Sequence, residues 1–185
     1  MTGRYSGWGV VTGAQVPGAS AHPGGEALAG GAQPITDDAR VFYTGHSSGP
    51  GLVQAFRCSR VVFAGLEGPT RILTVERGGL TWLPVFTDRQ QLVAFHQARA
   101  AAGTSTVVGE AGVVGGLVWV GALGARVLDF YLPALGSPVG VMVDPLSQYP
   151  VALPPLQGLV PESVALDAEH RGQGASGFAS GRKWG

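Results

Sequence analysis

The chain has 185 residues, 13% of them charged, and its 12 basic and 12 acidic side chains give a formal net charge of zero. That length suits one domain with tails. A neutral, thinly charged surface speaks against nucleic acid, whose phosphates require clustered Lys and Arg, and against electrostatic docking on anionic lipid.

Eleven of the 12 basic residues are arginine, against the single Lys183, and Ala, Gly and Val are abundant. This bias reads as codon pressure from a GC-rich genome of the actinobacterial kind. One cysteine, Cys58, excludes an intramolecular disulfide. The N-terminus shows no basic region followed by an apolar core, and the apolar window from Val113 to Leu123 is too short and glycine-broken for a membrane span. The expectation is a cytoplasmic protein.

In chain order, residues 1–35 mix Gly, Ala, Pro and Ser without a period, which predicts a disordered leader. Thr36-Asp37-Asp38 is a helix-start signal for a short element ending near Tyr43. His46 to Gly51 reads as a loop, and Leu52 to Cys58 as a short helix with Leu52, Val53 and Phe56 on one side. Arg60–Gly65 and Arg71–Glu76 are β-rich runs whose link contains Gly68-Pro69, the pattern of a hairpin. Gly78-Gly79 turns the chain into a third run, Leu80 to Phe86, so an antiparallel meander is expected.

Leu80 to Phe86 is nearly continuous in apolar side chains, as in a strand covered on both faces. Pro84 cannot donate to a ladder, which argues for an edge position or a bulge. Thr87 is the expected helix N-cap, with Gln90 three residues on completing a capping box. The helix then runs to about Ala102, with Leu92 and Phe95 on one face and Gly103 as its stop.

Further on, Thr106-Val107-Val108 and Leu117–Val120 read as short strands. Gly121 to Leu132 has a helical pattern, with Leu123, Val127 and Tyr131 in one row and Leu128 and Leu132 in a second. Val139–Val143 is fully apolar and reads as a central strand, Val151–Leu153 as its return, and Glu162–Leu166 as a last turn or strand. These elements predict an α+β fold over residues 36–167, a mixed and largely antiparallel sheet of about five strands with two main helices packed on it. Residues 168–185 return to Gly, Ser, Ala and Arg and are expected to be a disordered tail.

The stretch Trp82-Leu83-Pro84-Val85-Phe86-Thr87-Asp88 and the later Pro138-Val139-Gly140-Val141-Met142-Val143-Asp144-Pro145 carry a family likeness. Together, across residues 50 to 167, they resemble the N-terminal domain of the SseB (enhanced serine sensitivity) family. There a strand of the same kind leads into a helix, and a second strand ends in Asp-Pro. The family has no agreed catalytic residues, so the resemblance implies a binding or accessory module and transfers no chemistry. In actinobacteria it implies an association with secretion loci of the type VII kind.

Among single residues, Asp144 is the best-placed polar group, because it ends a central strand where loops collect function. Its bland reading is that Asp before Pro organises a turn through its own backbone. His96, with Phe95 beside it and Arg99 one turn on, could titrate near neutrality, or merely border the core. Trp82, with Phe86, Trp119 and Tyr131, belongs to a core or lines a groove for a partner. Cys58, flanked by Arg57 and Arg60, reads as a small buried residue on a helix before it reads as a reactive thiol.

Histidines 22, 46, 96 and 170 lie too far apart for metal-ligand spacing. Ser47-Ser48 lacks the strand–turn–helix elbow of a nucleophile, and Gly112 to Gly116 lacks the ending of a phosphate loop. The expectation is therefore no enzyme and no cofactor, with an unidentified protein partner. The alternative is a small-ligand sensor or weak enzyme with its site near Asp144 and His96.

Overall fold

The computed structural model describes residues 9–11, 34–66, 71–102 and 117–166. Its elements in chain order are β1 (Gly9–Val11), α1 (Pro34–Tyr43), α2 (Gly49–Cys58), β2 (Arg60–Leu66), β3 (Arg71–Ile72), β4 (Thr74–Arg77) and β5 (Leu80–Val85). Then come α3 (Arg89–Ala101), β6 (Leu117–Leu123), a helical stretch over 124–134, β7 (Val139–Val143), β8 (Val151–Leu153) and a 3-10 turn, Glu162–Val164. The class is α+β, as expected.

Five strands form one sheet in the order β1-β4-β5-β7-β8, and β3-β2-β6 form a second. Only β5 and β7 run parallel; every other pairing between named strands is antiparallel. Two sheets stand where one was expected, because the meander splits at Leu73. There the β3–β4 chain swings from one partner to the other, and the Leu73 amide donates to the Ala64 carbonyl at 2.9 Å. The sheets remain joined, since Val62 and Phe86 exchange both backbone bonds at 2.8 Å.

Pro84 sits at this fork. Trp82 pairs with Val75 of β4, and Phe86 pairs with Val62 of β2. Pro84, the residue between them in the same phase, faces the opening where β4 has left and β2 has not yet arrived. Its strand is therefore interior, against the expectation of an edge, yet its missing donor deprives no ladder.

Alternate residues of the strands face two cores, as the period of two demands. Val61 and Phe63 of β2, Leu83 and Val85 of β5, and Val139, Val141 and Val143 of β7 point into the larger core with α1, α2 and the helical stretch. Val62, Ala64, Val75, Trp82, Phe86 and Met142 point the other way, under Leu92 and Phe95 of α3. Full burial of each of these side chains larger than alanine contributes roughly 1.5–3 kcal/mol.

The two short helices expected ahead of β2 are present as α1 and α2. α1 opens at Pro34, two residues ahead of the Thr36 signal, and the Ile35 amide donates to Ser59 Oγ at 2.9 Å. β6 keeps strand form as far as Leu123, which is half exposed and outside the apolar row assigned to it. The helix starts only at Gly124, where any Cβ would lie 1.9 Å from the Phe56 carbonyl oxygen. Beyond Gly124, Val127–Tyr131 is π-helical, and it buries Val127, Leu128 and Tyr131.

Gly9–Val11, inside the leader expected to lack structure, pairs antiparallel with β4. Residues 1–8 and 12–33 of that leader, Thr106–Val108, the Gly112–Gly116 turn and the 168–185 tail lie outside the described residues, while its last two residues open α1. Among the described residues, no helix is long and apolar enough to cross a membrane.

Candidate functional site

The parallel pair β5–β7 carries the two landmark motifs side by side, with Val85 opposite Val143. Both strands end on the same side of the sheet, which is where α/β sheets gather polar groups. At the end of β7, Asp144 takes φ +44°, the left-handed region that Asp tolerates better than most side chains. Its amide donates to the Val85 carbonyl at 3.0 Å, and its own carbonyl accepts from Ser147 to close the Asp-Pro turn.

The Asp144 side chain is committed elsewhere. Oδ1 accepts the Thr87 amide at 2.9 Å, and Oδ2 accepts the Thr87 hydroxyl at 2.7 Å. The backbone of Asp144 closes the turn as the bland reading has it, while its side chain reaches across to Thr87 just beyond β5. Thr87, correspondingly, is not the N-cap of α3. Asp88 is, with its Oδ1 accepting the Gln91 amide at 2.9 Å. Threonine and aspartate both cap helices, so the motif alone left the phase open by one residue.

Burial pushes the Asp144 carboxyl above its ordinary range. The two Thr87 bonds oppose that rise, and the nearby Asp88 charge adds to it. Asp144 as a whole is 7% exposed, so a ligand would reach its carboxylate only after the Thr87 contact opened.

His96, on the buried face of α3, is 1% exposed, its ring set against Phe86 and Phe95 with centroids 6.4 and 5.4 Å away. Desolvation, with the Arg99 charge second, lowers its pKa to about 4. Its Nε2 is buried without a hydrogen-bond partner among the described residues. The imidazole is thus neutral at pH 7, not poised near neutrality. Asp144 and His96 share no hydrogen bond or ion pair. They attach instead to the adjacent residues Thr87 and Phe86.

Trp82 is 1% exposed, so it belongs to the core reading and lines no partner surface. Its indole N–H donates to the Arg77 carbonyl at 3.1 Å. Cys58 reverses its expectation: as the last residue of α2 it is exposed, with Gln54 Nε2 3.6 Å from its sulfur. The adjacent Arg57 grips both oxygens of Asp129 at 2.9 and 2.6 Å, which holds that carboxyl below its usual range. Ser48 is the N-cap of α2, accepting the Gly51 amide at 3.3 Å, and has no nucleophile's setting.

Three placements had no signal in the sequence. Buried Ser59 ties α2 to α1 and to the start of the 124–134 helix, because its hydroxyl donates to Ala55 and accepts from Ile35, while its carbonyl accepts from Gly124. Arg99 is 5% exposed, with its guanidinium 5.7 Å from the Phe95 ring centroid. Arg89, in the first turn of α3, lies 3.6 Å over the Trp119 ring. Among the described residues no group of three His, Cys, Asp or Glu could hold a metal ion. Compared with family models, curated proteins and solved structures, the chain matches none of them.

Proposed function

We propose that the chain is a non-enzymatic binding or accessory protein of the SseB type, cytoplasmic, with a type VII secretion locus as the setting its resemblance implies. One observation carries the reading. The strand that leads into a helix and the strand that ends in Asp-Pro are parallel neighbours, and Asp144 locks them together through both of its carboxylate oxygens. The most function-like polar group of the chain thus works as a joint of the scaffold.

Catalysis would ask for a carboxylate with an oxygen available to a reacting proton. A joint that holds a helix start against a strand end serves instead to keep a binding surface rigid. The test compares affinity capture and ligand-induced thermal shifts for the native chain and Asp144→Asn. The amide can keep the joint, so the same partners should be recovered at unchanged stability. A folded Asp144→Asn protein that loses its partner, or loses a ligand-dependent shift, would overturn the reading.

A further inference from the structure

We propose that the outer edge of β4 is a docking site for an extended peptide segment with a basic side chain opposite Glu76, and that Gly9–Val11 is its replaceable occupant within the chain. The edge is seen accepting a strand from far away in sequence, in the register Gly9–Glu76, Val10–Val75 and Val11–Thr74. β1 is only three residues long, and 22 residues (12–33) separate it from the first helix.

A strand tethered in its own chain has an effective concentration on the order of millimolar. A separate segment displaces it only by pairing better, and the register shows where it can. Glu76 is exposed and enters no ion pair among the described residues, and the residue facing it, Gly9, has no side chain. Glycine also forms strands poorly. An Arg or Lys at that place adds a cross-strand charge pair, and β-branched residues suit the two following positions, opposite buried Val75 and Thr74. Backbone pairing would supply affinity and the basic side chain selectivity, the usual division in strand addition. Until such a segment arrives, β1 shields an edge that would otherwise invite aggregation.

This inference requires only the β1–β4 pairing, so it stands or falls apart from the accessory reading and the Asp144 test. Two labelled peptides serve as probes, residues 5–14 of the chain and the same peptide carrying Gly9→Arg, with binding read by fluorescence anisotropy. Successive amides of a strand face opposite sides, so Val10→Pro with Val11→Pro removes at least one β4-facing donor in either phase of the pairing. The released chain should bind the native peptide about tenfold more tightly than the native chain does. The Gly9→Arg peptide should gain a further two- to fivefold, roughly, and lose that gain on Glu76→Gln.

A second arm protects the test against misfolding of the proline variant. Val11→Cys with Thr74→Cys, in a Cys58→Ser background, locks β1 across a facing pair when oxidised. The reduced chain should bind the Gly9→Arg peptide and the oxidised chain should not. Equal binding to locked and unlocked chains, no binding by either peptide, or no preference for arginine would overturn the proposal. So would a dimer of the native chain that the proline pair abolishes, since that assigns the edge to a second copy.

Discussion

Asp144 and Thr87 are 57 residues apart, yet one carboxylate accepts both the amide and the hydroxyl of that threonine. The contact fixes where β5 ends and where α3 may begin. Replacing Asp144 with Ala leaves two donors near the sheet end without their acceptor and a Cβ-bearing residue at φ +44° without a local bond to support it. The expected loss is about 2–3 kcal/mol, measured by urea unfolding. Asp144→Asn keeps an acceptor for the amide, can donate to the hydroxyl oxygen, and tolerates the left-handed backbone, so it should lose less than about 1 kcal/mol. Equal losses for the two variants would show that the negative charge, and not the bond pattern, holds the joint.

Asp88→Ala separates the cap from the joint. Its loss should be about 1 kcal/mol through the Gln91 amide alone, and close to additive with Asp144→Ala apart from their shared electrostatics. Thr87→Ala should instead couple to Asp144→Ala in a double-mutant cycle, because the two share a hydrogen bond. A cycle that closes additively would mean that the hydroxyl bond contributes nothing.

The sequence made the strands legible wherever burial imposed a period. β5 and β7 were readable as apolar runs, and the Asp144 strand end was readable as a landmark. What pairs with what was not readable at the fork, because the break at Leu73 and the β2 bridge at Phe86 depend on contacts between distant segments. The Thr87–Asp88 phase was lost for a local reason, since either residue can cap. Cys58 was misplaced because the apolar stripe of α2 rests on Leu52, Ala55 and Phe56, which turns position 58 outward. His96 was found as a core-bordering residue, but the size of its desolvation depends on the Phe86 ring, which no spacing on the helix reveals.

Cys58 offers a direct check of that placement. As the chain's single cysteine, exposed at the end of α2, it should react completely with a disulfide reagent in the folded protein without denaturant. A thiol that reacts only after unfolding would bury Cys58 again and displace the α2 C-terminus.

Gly140 explains how Trp82 fits flat on β7. A Cβ there would approach Trp82 Cε3 and Cζ3 at 2.8 Å and the Leu153 carbonyl oxygen at 2.9 Å, so Gly140→Ala should cost roughly 1–3 kcal/mol by overpacking. Gly121→Ala in β6 meets nothing within 4 Å and should be neutral or slightly stabilising. Trp82→Ala should lose about 3–5 kcal/mol alone. In that background Gly140→Ala should become milder, because the ring it strikes is gone. Thermal melts of the four proteins decide it, and an additive pair would mean that the Leu153 oxygen is the real obstacle.

His96 sets the acid limb of stability. Its folded pKa of about 4 lies below the ordinary value of 6.5, so between those pH values the unfolded chain binds the proton and the folded chain does not. Stability is therefore fully present above about pH 6.5 and falls as pH drops toward 4, by roughly 3 kcal/mol in all. Asp144 works in the opposite sense: its raised folded pKa means that protonation on acidification favours the fold. His96→Leu removes the first effect while filling the same apolar space against Phe86 and Phe95, and it leaves no unsatisfied Nε2. Urea midpoints at pH 7 and pH 4.5 should converge in His96→Leu, with stability at pH 7 unchanged or higher. If the native protein already shows equal midpoints at the two pH values, His96 titrates in the fold much as it does in the unfolded chain, and the closed packing of the α3 face that carries it is wrong.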